Sequence, residues 1–509
     1  MSSPLVLTGE DLTLDDVWDV AVRGGGATIA ESAKERMRAA RELVESIRGE
    51  HTYGVNTGFG RFVSAHIPED LTEELQLRLL RSHACGVGEP YPDDVVRGAM
   101  LLRANALAKG YSGARVATVE LLVEFLNRGL LPVVPSRGSV GASGDLAPLA
   151  HLALPLVGEG EAIVEGARLD GDDALRRVGL EPIRLASKEG LSLVNGTQFM
   201  AAMTALGAVR ARRLAKSADV ACALSLEALQ GSRSSFAAAV HRSRPLKGQG
   251  ESAANVWRLL EGSAVIESHR WCDKVQDAYA LRCAPQVHGA SRDLIDYVEA
   301  TVRVELNAAT DNPLVLLDEG EIVSAGNFHG QPLAFALDVL AMATAELASI
   351  SERRTERLVN PSLSDGLPPF LVEEGGLNSG FMIPQYVAAA LVSENKVLAH
   401  PASVDSIPTS AGQEDHVSMG NAAGLKALRV LDNVERALAI ELLAGAQAVE
   451  FLAPLRPGAG VVAAHDLVRS LSERLVEDRS LSGDIERVAE AVRSGAVVAA
   501  VEDVVGELA

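Results

Sequence analysis

A chain of 509 residues with 68 acidic and 47 basic side chains carries a formal net charge of −21, which would repel a phosphate backbone. Nucleic acid is therefore excluded as an expected partner. Apolar residues make up 47% of the chain and aromatic residues only 4%, and Ala and Leu dominate. This composition predicts a globular, mostly α-helical protein rather than one built from β-sheets.

In chain order, the first third alternates helical stretches with glycine-rich ones. Residues 30–47 and 69–83 have a helical composition, whereas the segment YGVNTGFG at 53–60 has the composition of a loop. Residues 131–197 contain Pro, Gly and short β-like runs, which predict loops and short strands. Polar, glycine-bearing loops on a rigid frame are where functional sites form, so we expect a site among such segments.

Three long stretches follow, at 198–230, 331–357 and 421–449. The first has no proline and is rich in Ala and Leu, and the other two place leucines on one face, so all three predict long helices of a bundle core. No linker rich in Pro, Ser or Gly separates independent modules. We therefore expect one continuous unit, with a smaller, loop-rich N-terminal lobe over 1–197 and a long-helix bundle over 198–509.

Several common site motifs are absent from the sequence. It contains no GxGxxG that opens a helix, no GxxxxGK[ST], no HExxH and no GxSxG, so nucleotide-binding, metalloprotease and hydrolase functions lack their usual motifs. His416 stands beside Glu414 and Asp415, but adjacent side chains point in different directions, so no metal site is predicted.

Cysteine usage and the N-terminus bear on the compartment. Four dispersed cysteines without a CxxC pair predict reduced, buried thiols and no disulfide framework. The N-terminus lacks a basic, apolar leader, and no uncharged apolar run reaches the ~18 residues that a membrane span needs. We therefore expect a cytoplasmic protein that has no membrane partner.

Three segments hold polar groups that would be costly to bury without a purpose. The run GASGDL, which contains residues 142–144, has the composition of an ordinary turn. Gln276, Tyr279 and Arg282 are spaced i, i+3 and i+6, so on a helix they would form a patch that suits the carboxylate of an amino acid. Such a cluster is a structural hydrogen-bond network at least as often as it is a binding site. Tyr53, ahead of several glycines, is either a base on a mobile loop or a packed aromatic residue.

The run GASGDLAPLAHLAL resembles the signature of the aromatic amino acid ammonia-lyases, the family of histidine, phenylalanine and tyrosine ammonia-lyases. Six further segments, spread over about residues 5–455, resemble blocks of that family in the same order: YGVNTGFG, RSHACGVG, LVNGTQ, VQDAYALRCAPQVHG, GNFHGQPLA and TSAGQEDHVSM. The resemblance implies a mostly α-helical, ammonia-lyase/fumarase-like architecture. It also implies a homotetramer in which several subunits assemble each active site.

The resemblance further implies a prosthetic group, 4-methylideneimidazol-5-one (MIO), which the chain makes from its own Ala142, Ser143 and Gly144. The backbone nitrogen of Gly144 would bond to the carbonyl carbon of Ala142, a compressed geometry that a residue without Cβ adopts most readily. Ser143 would lose its hydroxyl as water and leave an exocyclic methylidene. The product is an electrophile, which no ordinary side chain is.

The same resemblance implies roles for side chains outside residues 142–144. Tyr53 corresponds to the base that removes a β-hydrogen, and such a base needs strong electrostatic support because that hydrogen is scarcely acidic. Arg282 corresponds to the group that holds the substrate carboxylate. Tyr279 and Asn195 would assist at the amine and the prosthetic group, and Gln276 would form a hydrogen bond nearby. In the loop before residue 331, Phe328 would pack against the ring system.

Two positions bear on the substrate. His83, followed here by Ala84, stands where the family's phenylalanine enzymes are apolar, and Glu414 resembles the histidine branch. An imidazole and a carboxylate would give each ring nitrogen of an imidazole substrate a partner. We therefore expect conversion of L-histidine to trans-urocanate and ammonia, the first step of histidine degradation. The alternatives are a tyrosine or phenylalanine ammonia-lyase or an aminomutase on the same scaffold, and a helical scaffold protein without catalytic activity.

Overall fold

The computed structural model describes residues 3–46, 52–54 and 56–509. About 60% of the chain is helical and 7% lies in strands, so the predicted mostly α-helical fold class is confirmed. The helices that precede residue 198 in the described chain are α1 (Leu14–Ala21), α2 (Glu31–Ser46), α3 (Thr72–His83), α4 (Asp93–Ala108), α5 (Val116–Arg128), α6 (Leu146–Ala153), α7 (Gly171–Arg177) and α8 (Glu189–Val194).

The remaining helices include the longest ones. They are α9 (Gln198–Ala228), α10 (Ala238–Arg242), α11 (Lys247–Leu259), α12 (Ala264–Ser268), α13 (Tyr279–Arg282), α14 (Ala284–Glu305), α15 (Gln331–Val359), α16 (Met382–Leu398), α17 (Gly420–Glu450), α18 (Ala459–Leu471), α19 (Ser482–Ser494) and α20 (Ala496–Val505). Helices α2, α3, α9, α15 and α17 confirm the helical stretches expected from the sequence to within three residues at each end, apart from residue 47, which lies outside the described residues.

The strands are short and form small sheets. They are β1 (Leu5–Leu7), β2 (Ala27–Ile29), β3 (Val87–Pro90), β4 (Leu131–Pro132), β5 (Pro135–Arg137), β6 (Glu161–Val164), β7 (Ala167–Asp170), β8 (Leu314–Leu316) and β9 (Glu321–Val323). β1 and β2 pair in parallel, whereas β3–β5, β4–β6–β7 and β8–β9 pair in antiparallel fashion. The short strands expected between residues 131 and 197 are therefore present.

The chain divides into two compact units. The first comprises Met1–Val209, Val298–Asp338 and Pro401–Leu425, and the second comprises the three segments Arg210–Tyr297, Val339–His400 and Lys426–Ala509. The boundary expected between residues 197 and 198 coincides with the start of α9. The division into an N-terminal lobe and a helical bundle stays a prediction.

In the first unit, local signals in the sequence fix the ends of helices. Thr13 and Asp16 form a capping box at the start of α1: the Asp16 amide donates to the Thr13 hydroxyl at 3.2 Å, and the Thr13 amide donates to the Asp16 carboxylate at 2.9 Å. Gly129 ends α5 with a φ of 66°, a left-handed conformation that glycine adopts without steric cost. Helix α4 is buried over most of its length and packs against α1 and α5.

Three short helices of the first unit hold the segments expected to form a site. Helices α3, α6 and α8 pack against one another. His83 is the last residue of α3, α6 begins directly after Asp145, and α8 ends directly before Asn195. The packing of these helices therefore brings three segments together that are far apart in the sequence.

In the second unit, charged side chains are buried as hydrogen-bonded pairs. Arg354 donates from two nitrogens to Glu441, at 2.5 and 2.8 Å, and neither side chain is exposed. Asp219 is equally buried and is bonded to His288 at 2.8 Å and to Arg292 at 2.6 Å. A buried charge costs free energy unless a partner and hydrogen bonds compensate it, so each pair depends on both of its members.

Helix α15 is the helix of the described chain that is long and apolar enough to cross a membrane. An 18-residue window in it has a mean hydropathy of 1.7, but 67% of that window is buried inside the protein. A mostly buried helix in the core of a protein passes the same test of length and apolar composition.

The four cysteines are free thiols, as expected from their spacing. Cys222 is buried, and burial raises the pKa of its thiol to about 12. Cys85 and Cys272 are exposed, so the expectation of buried thiols was wrong for these two. Both stand in polar loop segments rather than on the apolar face of a helix.

Removal of Glu441 should destabilise the fold strongly. Glu441→Ala leaves the buried guanidinium of Arg354 without its carboxylate, which should lower the free energy of unfolding by about 3–5 kcal/mol. The half-exposed pair of Arg436 and Glu486 provides a control, because Glu486→Ala should cost less than about 1 kcal/mol. Urea unfolding of both variants measures the difference, and equal midpoints would refute the importance of the buried pair.

Candidate active site

The residues expected to form a prosthetic group lie in a sharp bend between β5 and α6. Gly144 has a φ of +72°, and a Cβ at this position would lie 2.0 Å from the main-chain oxygen of Gly196. The Asp145 amide donates to that same oxygen at 2.6 Å. The predicted turn is therefore present, and only glycine fits at position 144 because the backbone of residue 196 lies against it.

Hydrogen bonds from both sides hold the bend. The Ser139 hydroxyl lies 3.3 Å from the main-chain oxygen of Gly144 and 3.0 Å from a carboxylate oxygen of Asp145. From the segment that precedes α17, the Ser418 hydroxyl donates to the main-chain oxygen of Gly141 at 3.1 Å. The next residue, Met419, donates its amide to the main-chain oxygen of residue 140 at 2.9 Å. The bend is therefore fixed at both ends.

Asp145 is a buried carboxyl group directly after the bend. Burial raises its pKa to about 7, although hydrogen bonds from the Met200 amide and the Ser139 hydroxyl oppose this shift. Close to neutral pH, protonated and ionised forms of Asp145 therefore coexist beside the bend.

Glu414 makes the closest polar contact to the central residue of the bend. The Ser143 hydroxyl donates to Glu414 Oε1 at 2.8 Å, and the Thr409 hydroxyl donates to Glu414 Oε2 at 2.6 Å. Thr409 and Glu414 also exchange two backbone hydrogen bonds, at 2.9 and 3.3 Å. The carboxylate is thereby held in one orientation against residue 143.

Two adjoining cavities of about 470 and 480 Å³ lie in front of the bend. Tyr53, Ser143, Asn312 and Glu414 line both of them. The wall of the first also contains Ala142, Phe328, His329 and His416, and the wall of the second also contains His83 and Asn195. Cavities of this size, lined by a few polar groups, suit a small molecule.

Tyr53 lies at the centre of this pocket. Its ring packs edge-on against Phe59 with 6.1 Å between the centroids, and its hydroxyl accepts a long hydrogen bond of 3.4 Å from the Gly60 amide. Burial raises the pKa of the phenol, the Gly60 amide opposes the shift, and the charge of Glu414 adds to it. The phenol is therefore protonated at neutral pH. Val55, in the same predicted loop, lies outside the described residues.

His83 has the opposite shift. Burial lowers the pKa of its imidazole, and this effect outweighs the hydrogen bond with the Leu79 backbone and the charge of Glu414, which both raise it. The imidazole is therefore neutral at neutral pH, with Nδ1 lying 2.9 Å from the Ser82 hydroxyl. A neutral imidazole offers one donor and one acceptor.

Asn195 is held at one end of its side chain. Its Nδ2 donates to the main-chain oxygen of Asn312 at 3.0 Å, whereas its buried Oδ1 has no hydrogen-bond partner among the described residues. Buried polar atoms in native proteins normally have partners, so a free acceptor on the wall of a cavity indicates a site for a ligand or modified group.

Gln276, Tyr279 and Arg282 belong to the second unit, whereas the other site residues named above belong to the first. Arg282 donates to Gln276 Oε1 at 2.9 Å, its guanidinium lies 4.7 Å from the centroid of the Tyr279 ring, and Tyr279 is 72% exposed. The expectation that all three lie on one helical face was wrong. Helix α13 begins only at Tyr279, because Ala278 before it is extended with a ψ of 155°, so Gln276 precedes the helix.

Residues that the sequence did not single out also contribute. Asn312 and Thr409 orient Asn195 and Glu414 by the bonds described above, and Asn312 stands in a DNP segment with turn composition. Thr409 lies in TSAGQEDHVSM beside Glu414, which was the available signal. In residues 3–46, 52–54 and 56–509, no group of His, Cys, Asp or Glu side chains is arranged to hold a metal ion.

Asp145→Asn should flatten the pH dependence of stability. The folded state keeps a proton on Asp145 up to about pH 7, whereas the unfolded chain loses it near the ordinary pKa of about 3.9. The stability from this proton is fully present below about pH 4 and is lost as the pH rises through 7. Unfolding midpoints between about pH 4 and 7 should therefore fall less with rising pH in the variant than in the wild type. Glu227, whose pKa burial also raises to about 7, should keep a residual slope, and an unchanged slope would contradict the prediction.

Comparison with known proteins places these features in a family context. Residues 12–470 match the model of the aromatic amino acid lyase family. The chain is similar to the histidine ammonia-lyase of Gloeobacter violaceus, with 57% identity over 99% of this chain and 98% of the relative. It is also similar to the histidine ammonia-lyase of Anaeromyxobacter dehalogenans, with 58% identity over 97% of this chain and 99% of the relative.

Solved structures of two proteins are also similar to this chain. The crystal structure of histidine ammonia-lyase from Trypanosoma cruzi has a TM-score of 0.92 at 47% identity and covers 98% of this chain and 95% of that one. Tyrosine aminomutase from Streptomyces globisporus has a TM-score of 0.93 at 38% identity, with 98% and 99% of the two chains covered.

Proposed function

The chain belongs to the aromatic amino acid lyase family, and from this premise we propose that it eliminates ammonia from L-histidine to give trans-urocanate. The observation that carries the proposal is the hydrogen bond of 2.8 Å from Ser143 to Glu414, in a pocket that also contains His83. This contact supports the proposal because it brings a carboxylate, which can accept a hydrogen bond from an imidazole N–H, beside the residue from which the MIO group would be made.

The residues of the bend fit an MIO group. The left-handed φ of Gly144, its contact with the backbone of Gly196 and the unpaired Oδ1 of Asn195 all suit a ring built at 142–144. In its formation, a bond from the Gly144 nitrogen to the Ala142 carbonyl carbon and a second bond from the Ser143 nitrogen to the same carbon replace the carbonyl oxygen. That oxygen leaves as water with the amide hydrogens of Ser143 and Gly144. The Ser143 hydroxyl leaves as a second water with the α-hydrogen. The group supplies an electrophilic methylidene carbon.

Glu414 and His83 account for the choice of an imidazole substrate. Thr409 and the backbone hold the Glu414 carboxylate, which accepts a hydrogen bond from a ring N–H. The neutral imidazole of His83 offers either a donor or an acceptor to the other ring nitrogen. A phenyl ring offers no N–H or O–H donor to the half-buried carboxylate of Glu414, which is a penalty that disfavours phenylalanine.

Tyr53 is the base in this proposal. Its pKa is raised by burial and by the charge of Glu414, so the phenol is mostly protonated at neutral pH and must lose its proton before it accepts the β-hydrogen. The Gly60 amide, which donates to the phenol oxygen, stabilises the phenolate. The fraction of competent base therefore rises with pH.

Arg282 holds the substrate carboxylate, with Tyr279 and Gln276 beside it. In a single chain these side chains belong to the second unit, and Tyr279 is largely exposed. We propose that the protein is a homotetramer in which a neighbouring subunit contributes them to the pocket. The planar guanidinium already bound to Gln276 presents its remaining donors for a bidentate contact with a carboxylate.

A substrate panel tests the reaction and its specificity together. The purified chain is incubated with L-histidine, L-tyrosine or L-phenylalanine, and ultraviolet absorbance follows the conjugated product. Histidine should be consumed with the highest kcat/KM. Glu414→Gln should lower kcat/KM for histidine by roughly 10- to 100-fold, because a hydrogen bond to a charged group is worth about 1.5–3 kcal/mol.

Ser143→Ala is the control for the panel, since it lacks the hydroxyl that must leave. Its intact mass should equal the encoded mass, its activity should be absent and its fold should be retained, whereas the wild-type chain should be lighter by two waters. A clear preference for tyrosine would refute the role given to Glu414. A β-amino acid product without free ammonia would favour an aminomutase, and a wild-type chain at its encoded mass would favour a silent scaffold.

The pH profile tests the role of Tyr53. Because burial raises the pKa of its phenol, kcat/KM should rise as the pH increases above neutrality. Tyr53→Phe should lower kcat by roughly 10²- to 10⁴-fold and remove this rising limb. Phe59→Leu, which changes only the ring that packs against Tyr53, should keep the limb. Retention of the limb in Tyr53→Phe would assign the base to another residue.

A further inference from the structure

Arg103 is a fully buried cation in the middle of α4. Its Nη1 donates to the main-chain oxygen of Asn195 at 3.0 Å and to Gln198 Oε1 at 2.8 Å, and its Nη2 donates to the main-chain oxygen of Ser192. The acceptors lie in the last turn of α8 (Ser192), directly after α8 (Asn195) and at the first residue of α9 (Gln198). The planar fork of one guanidinium thus spans the turn that carries Asn195.

The charge of Arg103 persists despite its burial. Burial lowers the pKa of its guanidinium to about 10, and the charge of Asp311 opposes the shift, so the group stays protonated at neutral pH. Asp311 is buried and is bonded to Lys188 at 3.0 Å. Two cations therefore share one carboxylate, and the main-chain oxygens at the end of α8 supply the remaining negative partial charge.

Gly196 is packed between Arg103 and the bend. A Cβ on Gly196 would lie 2.3 Å from Arg103 Nη1, and a Cβ on Gly144 would lie 2.0 Å from the Gly196 oxygen. The same oxygen accepts the Asp145 amide at 2.6 Å. Displacement of the Gly196 backbone away from the bend is therefore blocked by the guanidinium directly behind it.

We propose that Arg103 is a positioning residue for the self-processing of residues 142–144, because it holds the Gly196 backbone against Gly144 and so keeps the bend compressed. The inference rests on the proposed function, since it concerns the formation of the MIO group. The reacting atoms belong to residues 142 and 144, and Arg103 acts on them only through residue 196. Nothing in its own sequence neighbourhood, LLRANAL, distinguishes it from an ordinary helical arginine.

The contacts explain why a loss of Arg103 would affect ring closure. Intramolecular reactions depend steeply on the separation and orientation of the reacting atoms, and a misplacement of about 1 Å costs roughly 10²-fold in rate. Lysine keeps the charge but is a point donor on a flexible stem, so it cannot span the acceptors on Ser192, Asn195 and Gln198 together. Arg103→Lys should therefore let the segment relax while the buried charge is kept.

The test follows the mass of newly made full-length chain. The protein is produced by cell-free synthesis, and the fraction of chains that have lost two waters is measured over time by intact mass, together with the ultraviolet absorbance of the new group. Arg103→Lys should lose water at least about tenfold more slowly than the wild type. Circular dichroism and thermal unfolding record whether the variant is folded.

Arg292→Lys is the matched control. Arg292 is as buried as Arg103 and is bonded to Asp219 at 2.6 Å, but it lies in the second unit. The Arg292→Lys variant should have a lower thermal stability than the wild type and should lose water at the wild-type rate. A general loss of stability would slow both variants, whereas a positioning effect slows only Arg103→Lys.

The remaining outcomes are decisive as well. A folded Arg103→Lys chain that loses both waters at the wild-type rate overturns the proposal. If Arg103→Lys does not fold, Gln198→Met takes its place in the test. This substitution removes one acceptor of the Arg103 guanidinium at similar side-chain volume. Slower water loss in Gln198→Met supports the proposal, and water loss at the wild-type rate overturns it. A wild-type chain that stays at its encoded mass overturns both the proposed function and this inference. Slower water loss in a variant, in contrast, does not bear on the proposed function.

Discussion

The main-chain oxygen of Gly196 accepts the Asp145 amide at 2.6 Å and occupies the space that a side chain on Gly144 would need. This contact explains the glycine at position 144, whereas the glycine at position 196 is explained by Arg103, whose Nη1 lies 2.3 Å from where a Cβ would stand. Helices α3, α6 and α8, which pack against one another, each carry one segment of the pocket. The site therefore depends on a close approach of backbones, and its side chains are arranged around that approach.

Charge is distributed unevenly around the bend. Behind it lie the buried cations Arg103 and Lys188, although the chain as a whole carries a net charge of −21. On the cavity side lies the carboxylate of Glu414, and directly after the bend lies the buried carboxyl of Asp145. Arg103 fixes backbone oxygens, and Lys188 is bonded to Asp311 and to the Ser192 hydroxyl, whereas Glu414 contacts residue 143. Buried charge thus supports the shape of the backbone on one side of the bend, and a half-buried carboxylate faces the cavity on the other.

The parts that the sequence predicted are those that local rules decide. The long helices follow from composition and periodicity, and the bend follows from the turn residues of GASGDL. Arg103 could not be predicted, because its partners lie about ninety residues away and a buried arginine in a helix has no local signature. The helical face expected at 276–282 was wrong because spacing alone cannot locate the start of a helix, here fixed by the extended backbone of Ala278.

Burial shifts the pKa values of Tyr53 and His83, two of the titratable rings that line the pocket, in opposite directions and leaves both uncharged at neutral pH. It raises the pKa of the Tyr53 phenol and lowers that of the His83 imidazole, because in each case the charged form loses its hydration. Glu414 raises both pKa values, so it strengthens the shift of Tyr53 and weakens that of His83. At neutral pH the phenol therefore keeps its proton, and the imidazole offers a hydrogen-bond donor at one nitrogen and an acceptor at the other. Glu414 therefore links the protonation of the two rings, since its carboxylate contacts residue 143 and its charge acts on both.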